Sequence, residues 1–338
     1  MKQRILYLDV IRIWACLMII AMHAPIPNTG TDSYVLSADS LLTAPGIGLF
    51  VMVSGALLLP ANMPTGQFIK KRLGKILWPT LFWTFFYYIM APFIEGVGQG
   101  KGIKSFMSIP FSPQFNSALW FIYMLAGLYL LAPILSAWIK NVRSRELKFY
   151  LILWGITMCY PLIRNYVWID ESHTGIFYYF GGYAGYFLLG YYLRNHINSI
   201  PLWKCLLLLI IPLGIATMIK LQNIRIDFYD LFWYLSIFVA MMCIAWFMLI
   251  KKIHVVYDDA SNWHRYIILI SNCCFGIYLV HVFVMHSLVW RCSVIQGLEG
   301  IMQIGAVSII TFIGSTLITW LISCLPWAEY IIGFKQKR

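Results

Sequence analysis

Long apolar stretches broken by short polar connections recur along the whole chain. Ten of them are candidates to cross a bilayer: 5–24, 41–60, 76–94, 118–139, 149–168, 176–193, 205–220, 230–250, 266–285 and 301–324. A helix needs about 20 apolar residues to span some 30 Å of hydrocarbon, and most of these stretches approach that length. Several are interrupted by Gly or Pro, and 205–220 is short. The pattern predicts an all-α polytopic membrane protein of about ten transmembrane helices, a single integral-membrane domain over 1–338. The connections are loop-sized, and neither an internal repeat nor a low-complexity segment stands out.

Composition agrees. The chain is 61% hydrophobic and 11% charged, with a mean hydropathy of +0.75, too little charge to cover a soluble surface of this length. The net charge of +12 would suit nucleic acid, but its placement argues for topology instead. With the N-terminus cytoplasmic, eighteen Lys and Arg fall on one set of connections and six on the other. That is a positive-inside bias, and it predicts both termini in the cytoplasm. No nucleic acid partner is expected. The eight Cys lie in or beside apolar segments with no C-x-x-C spacing, so neither a zinc site nor a disulfide framework is indicated. The first apolar run is too long for a cleavable signal and lacks a small-residue cleavage site.

Charge inside that first run carries more information. Asp9, Arg12 and His23 all fall within 5–24. In an ideal helix the eleven-residue step from Arg12 to His23 leaves them about 20° apart around the axis and about 16 Å apart along it. Ionisable groups in hydrocarbon are expensive and usually face a protein interior or a water-filled path. The plainer alternative is a buried Asp9–Arg12 pair at i, i+3 with an unrelated histidine.

Other segments add candidates. Gly48, Ser54 and Gly55 place small residues on the second run, where close packing and close ligand approach read alike. Lys71, Arg72 and Lys75 cluster within one turn at the start of the third. They suit lipid head groups, or an anion clamp in which Arg presents a planar fork and Lys a point charge. Asn116 and Trp120 open the fourth run, where the default for an indole is the aromatic belt. Tyr278 and His281 are i, i+3 neighbours on the ninth, with His286 following. A hydrogen bond to a neighbouring helix and a catalytic role both fit them.

These residues, in this order, resemble the membrane acyltransferase-3 family of bacterial O-acyltransferases. The most specific element is Arg-x10-His, here Arg12 to His23. Phe-x-x-x-Ser-Gly follows at 50–55, then Arg72, Lys75 and Pro79, with Lys75 where a second arginine is usual. Leu-Trp-Phe at 119–121 and Tyr-x-x-His at 278–281 complete the set. The resemblance implies transfer of an acyl group, usually acetyl and in some members succinyl. The donor would be cytoplasmic acyl-CoA and the acceptor a hydroxyl of an extracytoplasmic glycan or glycolipid. It further implies a bacterial cytoplasmic (inner) membrane and the stand-alone form, without a fused esterase-like domain. Acetyl-CoA would be the donor substrate, membrane lipid the surroundings, and no metal is required.

On this reading His23 and Arg12 are catalytic, and Arg72, Lys75, Lys71 and Arg12 bind the donor. Neutral imidazole suits His23 as a general base, or as an acyl carrier. Asp9, Ser54, Asn116, Trp120, Tyr278 and His281 are candidates for substrate or oxyanion contacts. Segments 25–44 and 95–117 are expected as acceptor lids. The alternative from another class is a transporter or flippase of a lipid-linked glycan, which ten spans would also suit.

Overall fold

A computed structural model describes residues 4–25, 39, 41–94, 107–160, 162, 180–222, 232, 234–256 and 263–336. All regular structure among them is helical: α1 Leu6–Met22, α2 Pro45–Leu58, α3 Thr65–Met90, α4 Trp120–Asn141, α5 Ser144–Thr157 and α6 Tyr183–Asn195. The order continues with α7 Leu202–Leu221, α8 Ile237–Val256, α9 Trp263–Val284, α10 Ser293–Gln296, α11 Gly300–Ser323 and α12 Ala328–Ile332. The chain forms two compact units: the first holds Met1–Ile19, Ser37–Ala61 and Ile134–Ile267, the second Ile20–Leu36, Asn62–Pro133 and Ile268–Arg338.

In the first unit α2 and α6 touch backbone to backbone. A methyl added at Gly55 would fall on the Phe187 carbonyl, and one at Gly190 on the Met52 carbonyl, so each helix supplies the glycine that admits the other. Gly48 leaves room for Cys243 and Tyr186 in the same way. Hydrogen bonds from side chain to backbone then fix the neighbours. Tyr186 donates to the Tyr234 carbonyl at 2.8 Å, and Trp154 to that of Gly182 at 2.9 Å. At the end of α6, Lys251 Nζ donates to the carbonyls of Leu193, Arg194 and Ile197 at 3.0, 3.1 and 2.7 Å. Those are orphan acceptors of a helix C-terminus, where a cation also meets the negative end of the dipole.

In the second unit α3 packs on α12, with Trp83 donating to the Ile331 carbonyl at 2.9 Å. Pro79 withholds the amide that would bond the Lys75 carbonyl. Gly333 closes α12 at φ 69° beside that same oxygen, where a Cβ would be both strained and crowded. α11 buries Ser308, Thr311, Ser315, Thr319 and Ser323 along one face, small polar side chains of the kind that let membrane helices pack closely.

The expectation of ten transmembrane helices is corrected. Among the described residues six helices are long and apolar enough to cross a membrane: Leu41–Leu58, Thr65–Phe93, Ser117–Asn141, Leu202–Ile219, Trp263–Val289 and Gly300–Ser323. The others fail on length or charge. The 14 residues of α5 rise only about 21 Å, and its first turns carry Arg145, Glu146 and Lys148. The 13 residues of α6 and the 17 of α1 are likewise too short. α8 is a different case: the side chains of 254–256 lie outside the described residues, and its described part carries Lys251 and Lys252 at its end. The third run also begins earlier than its hydropathy suggests: α3 starts at Thr65, so the basic cluster lies inside the helix. The terminal residues 1–3 and 337–338, on which the cytoplasmic placement of both ends was argued, lie outside the described residues, as do 161 and 163–179.

Close packing of α2 on α6 makes a stability prediction. Gly190→Leu should lower the apparent unfolding temperature of the detergent-solubilised protein, overpacking costing about 1–3 kcal/mol. Gly214→Leu on α7, where an added Cβ meets nothing within 4 Å, should leave it nearly unchanged.

Candidate functional site

Two histidines meet in the second unit. Regular helix α1 ends at Met22, and the chain closes with i→i−3 bonds from His23 N to the Ile20 carbonyl at 3.1 Å and from Ala24 N to that of Ala21 at 3.0 Å. His23 therefore hangs from a tightened turn, half-buried, rather than from the regular helix face. Its ring stands edge-on to that of His281, with centroids 5.1 Å apart and planes at 64°. His281 is 0% exposed. Its Nδ1 lies 2.6 Å from the Tyr278 carbonyl oxygen, which can only accept, so Nδ1 carries a proton. In the neutral ring Nε2 then presents a lone pair. That Nε2 is buried with no hydrogen-bond partner among the described residues.

Sequence-distant contacts put His281 there. The Tyr278 hydroxyl donates to the Ala118 carbonyl, and the Tyr87 hydroxyl to that of Leu279 at 2.8 Å. Asn116 Oδ1 accepts from Ala118 N at 3.0 Å, capping the 3₁₀ turn Ser117–Leu119 that leads into α4. The Asn116 side chain also meets Tyr87. Phe115 adopts φ 66°, a left-handed conformation costly for a bulky residue. Its ring packs on Tyr88 at 5.0 Å, and the turn it makes leaves Asn116 buried. Tyr278 and Asn116, expected as substrate or oxyanion contacts, thus have polar atoms committed to holding α9. Phe121 stacks edge-on to Tyr278 at 5.5 Å, and Trp120 meets Phe121 at 6.4 Å. After Val284 the helix widens into a π turn at Met285–Val289, which holds His286.

The basic cluster belongs to the same unit. Arg72 lays its guanidinium against the Phe68 ring, 5.8 Å from its centroid. Its Nε is buried with no hydrogen-bond partner among the described residues. Lys71 and Lys75 beside it are exposed. A helical arginine with an unsatisfied donor between two solvated ammonium groups has the chemistry of an anion site.

The first unit holds the remaining candidates. Asp9 is paired by Arg4 through both oxygens, at 2.8 and 2.9 Å, while Arg12 Nη1 stands 3.8 Å from its Oδ1. Two cations thus flank one buried carboxylate, and the closer partner is Arg4, which the sequence presented only as part of a basic flank. Ser54 donates to the Phe50 carbonyl at 3.0 Å, an ordinary back-bond along α2. Asp39 lies in the segment expected as the first acceptor lid, and burial pushes its carboxyl up to about 7. Most of both lids, 26–38, 40 and 95–106, lies outside the described residues. Among the described residues no three His, Cys, Asp or Glu gather as a metal site requires.

A family model described as an acyltransferase domain matches residues 5–320. No curated protein and no solved structure matches the chain. The family match takes in the histidine pair, the basic cluster, Asp9 and Arg12 alike, and begins just after Arg4. The chain belongs to the acyltransferase-3 family, and its chemistry is acyl transfer at a membrane.

Proposed function

We propose that the protein moves an acetyl group from cytoplasmic acetyl-CoA to a hydroxyl of an extracytoplasmic glycan or glycolipid in a bacterial inner membrane. Arg72 is the observation that carries this reading. A guanidinium whose buried Nε has no hydrogen-bond partner among the described residues, flanked by exposed Lys71 and Lys75, fits a ligand rich in phosphate, as CoA is. Arginine takes phosphate oxygens through two parallel N–H groups, and the lysines add point charge.

His23 does the chemistry. A sugar hydroxyl is a weak nucleophile until its proton leaves, and a neutral imidazole removes it near pH 7. In the direct route His23 takes the hydroxyl proton as oxygen attacks the thioester carbonyl. The C–S bond then breaks, and the imidazolium returns the proton to the departing thiolate. In the covalent route the bare His23 nitrogen attacks the thioester carbonyl and the C–S bond breaks to release thiolate. The sugar oxygen then attacks the acyl-histidine carbonyl, the C–N bond breaks, and the hydroxyl proton passes to the thiolate. Both routes need an imidazole nitrogen. In the first unit Arg12 stands beside Asp9, which Arg4 pairs more closely.

Arg72→Ala should weaken acetyl-CoA binding about 10- to 100-fold, the worth of one or two charge-assisted hydrogen bonds. Arg72→Lys should recover only part of it, and raised salt should weaken wild-type binding. Isothermal titration of folded protein checks this, and unchanged affinity in Arg72→Ala removes the clamp.

His23→Gln keeps a hydrogen-bonding side chain of similar reach but has no base near neutral pH. Transfer from radiolabelled acetyl-CoA should fall by about 10²–10⁴-fold, with donor binding retained. Turnover near that of the wild type would take His23 out of the chemistry.

A further inference from the structure

We infer that His281 is a positioning residue for His23: its Nε2 accepts an N–H from the His23 ring and thereby selects which His23 nitrogen is left bare for the substrate. This rests on the assignment of the proton-transfer or acyl-carrying step to His23. Three observations in one unit carry it. His281 is wholly buried, its Nδ1 proton is committed to the Tyr278 carbonyl at 2.6 Å, and its Nε2 has no hydrogen-bond partner among the described residues. Native interiors leave few buried polar atoms unsatisfied. The His23 ring stands edge-on beside it at 5.1 Å between centroids. A His23 N–H bonded to that Nε2 at an ordinary length, about 2.7–3.2 Å, would satisfy it.

An imidazole that must act as a base or nucleophile needs one bare nitrogen facing its substrate, and a third group commonly enforces this by binding the other N–H. A carboxylate does so elsewhere at the cost of a buried charge. A neutral imidazole whose own tautomer is set by a backbone carbonyl does it with none, which suits a wholly buried place. The order of control is then explicit. Ala118 and Tyr87 hold Tyr278 and Leu279, the Tyr278 carbonyl sets the His281 tautomer, and His281 sets that of His23. No proton passes to His281. The substrate proton stays on His23 until the thiolate leaves.

The test reads the His23 tautomer directly. Protein carrying ¹⁵N-histidine is placed in lipid nanodiscs, and the His23 resonances are identified by their loss in His23→Gln. In wild type at slightly alkaline pH they should report one neutral tautomer. His281→Phe keeps the ring volume without an acceptor, and should average the His23 signals between tautomers. Its turnover of acetyl-CoA should fall by about 10²–10⁴-fold, with KM for the donor changed less than about threefold. His281→Gln restores a neutral acceptor oxygen, and should return the single tautomer and most of the turnover. A folded His281→Phe protein with an unaltered His23 tautomer overturns the inference. If His281→Phe does not fold, a His281→Gln protein that loses the single tautomer overturns it equally. If instead His23→Gln turns over normally, the assignment of chemistry to His23 fails, while the resonances still decide whether His281 governs its tautomer.

Discussion

The hydroxyl of Tyr278, donated to the Ala118 carbonyl, is the bond from which the histidine pair hangs. It joins the middle of α9 to the turn that starts α4. A second bond from Tyr87 to the next carbonyl, that of Leu279, ties the same point to α3. Without water, a hydroxyl or carbonyl in the membrane interior must find its partner within the protein. These bonds are therefore costly to break and well suited to fixing a register. One turn further along α9 comes His281, and its place beside His23 follows from that register. The left-handed turn at Phe115 and the Asn116 cap are the local devices that present the Ala118 carbonyl.

The first unit solves a different problem by different means. Its helices α2 and α6 approach until glycine is the one residue that fits at Gly55 and Gly190, and dispersion across that contact replaces the hydrophobic effect that lipid cannot supply. Its charges are then used sparingly. Lys251 satisfies three carbonyls at the end of α6, and Arg4 with Arg12 holds the buried Asp9. Removing either partner of such a pair leaves an uncompensated charge, so these contacts are stiff once made.

The basic residues differ in how far the protein satisfies them. Lys251 and Arg4 have their hydrogen bonds filled by the protein, whereas Arg72 retains a buried Nε that nothing among the described residues satisfies. All three are basic residues beside apolar runs, and which of them the protein itself satisfies is decided by the fold.

Much was legible in the chain itself. The apolar runs gave helical membrane architecture, because only helices and closed barrels satisfy backbone polar groups in lipid. The motif order from Arg12 to His281 gave the family, since chemistry demands particular side chains at particular places. Hydropathy overcounted the spans because it measures apolar length and not where a helix ends. At α5 and α6, charged turns and short helical lengths decided that. Nor could periodicity show that Arg4 outcompetes Arg12 for Asp9, that Tyr278 and Asn116 hold backbone groups, or that His281 reaches His23. Those outcomes join residues up to 258 positions apart through hydrogen-bond geometry, and only the folded chain brings donors and acceptors to a distance where one partner excludes another.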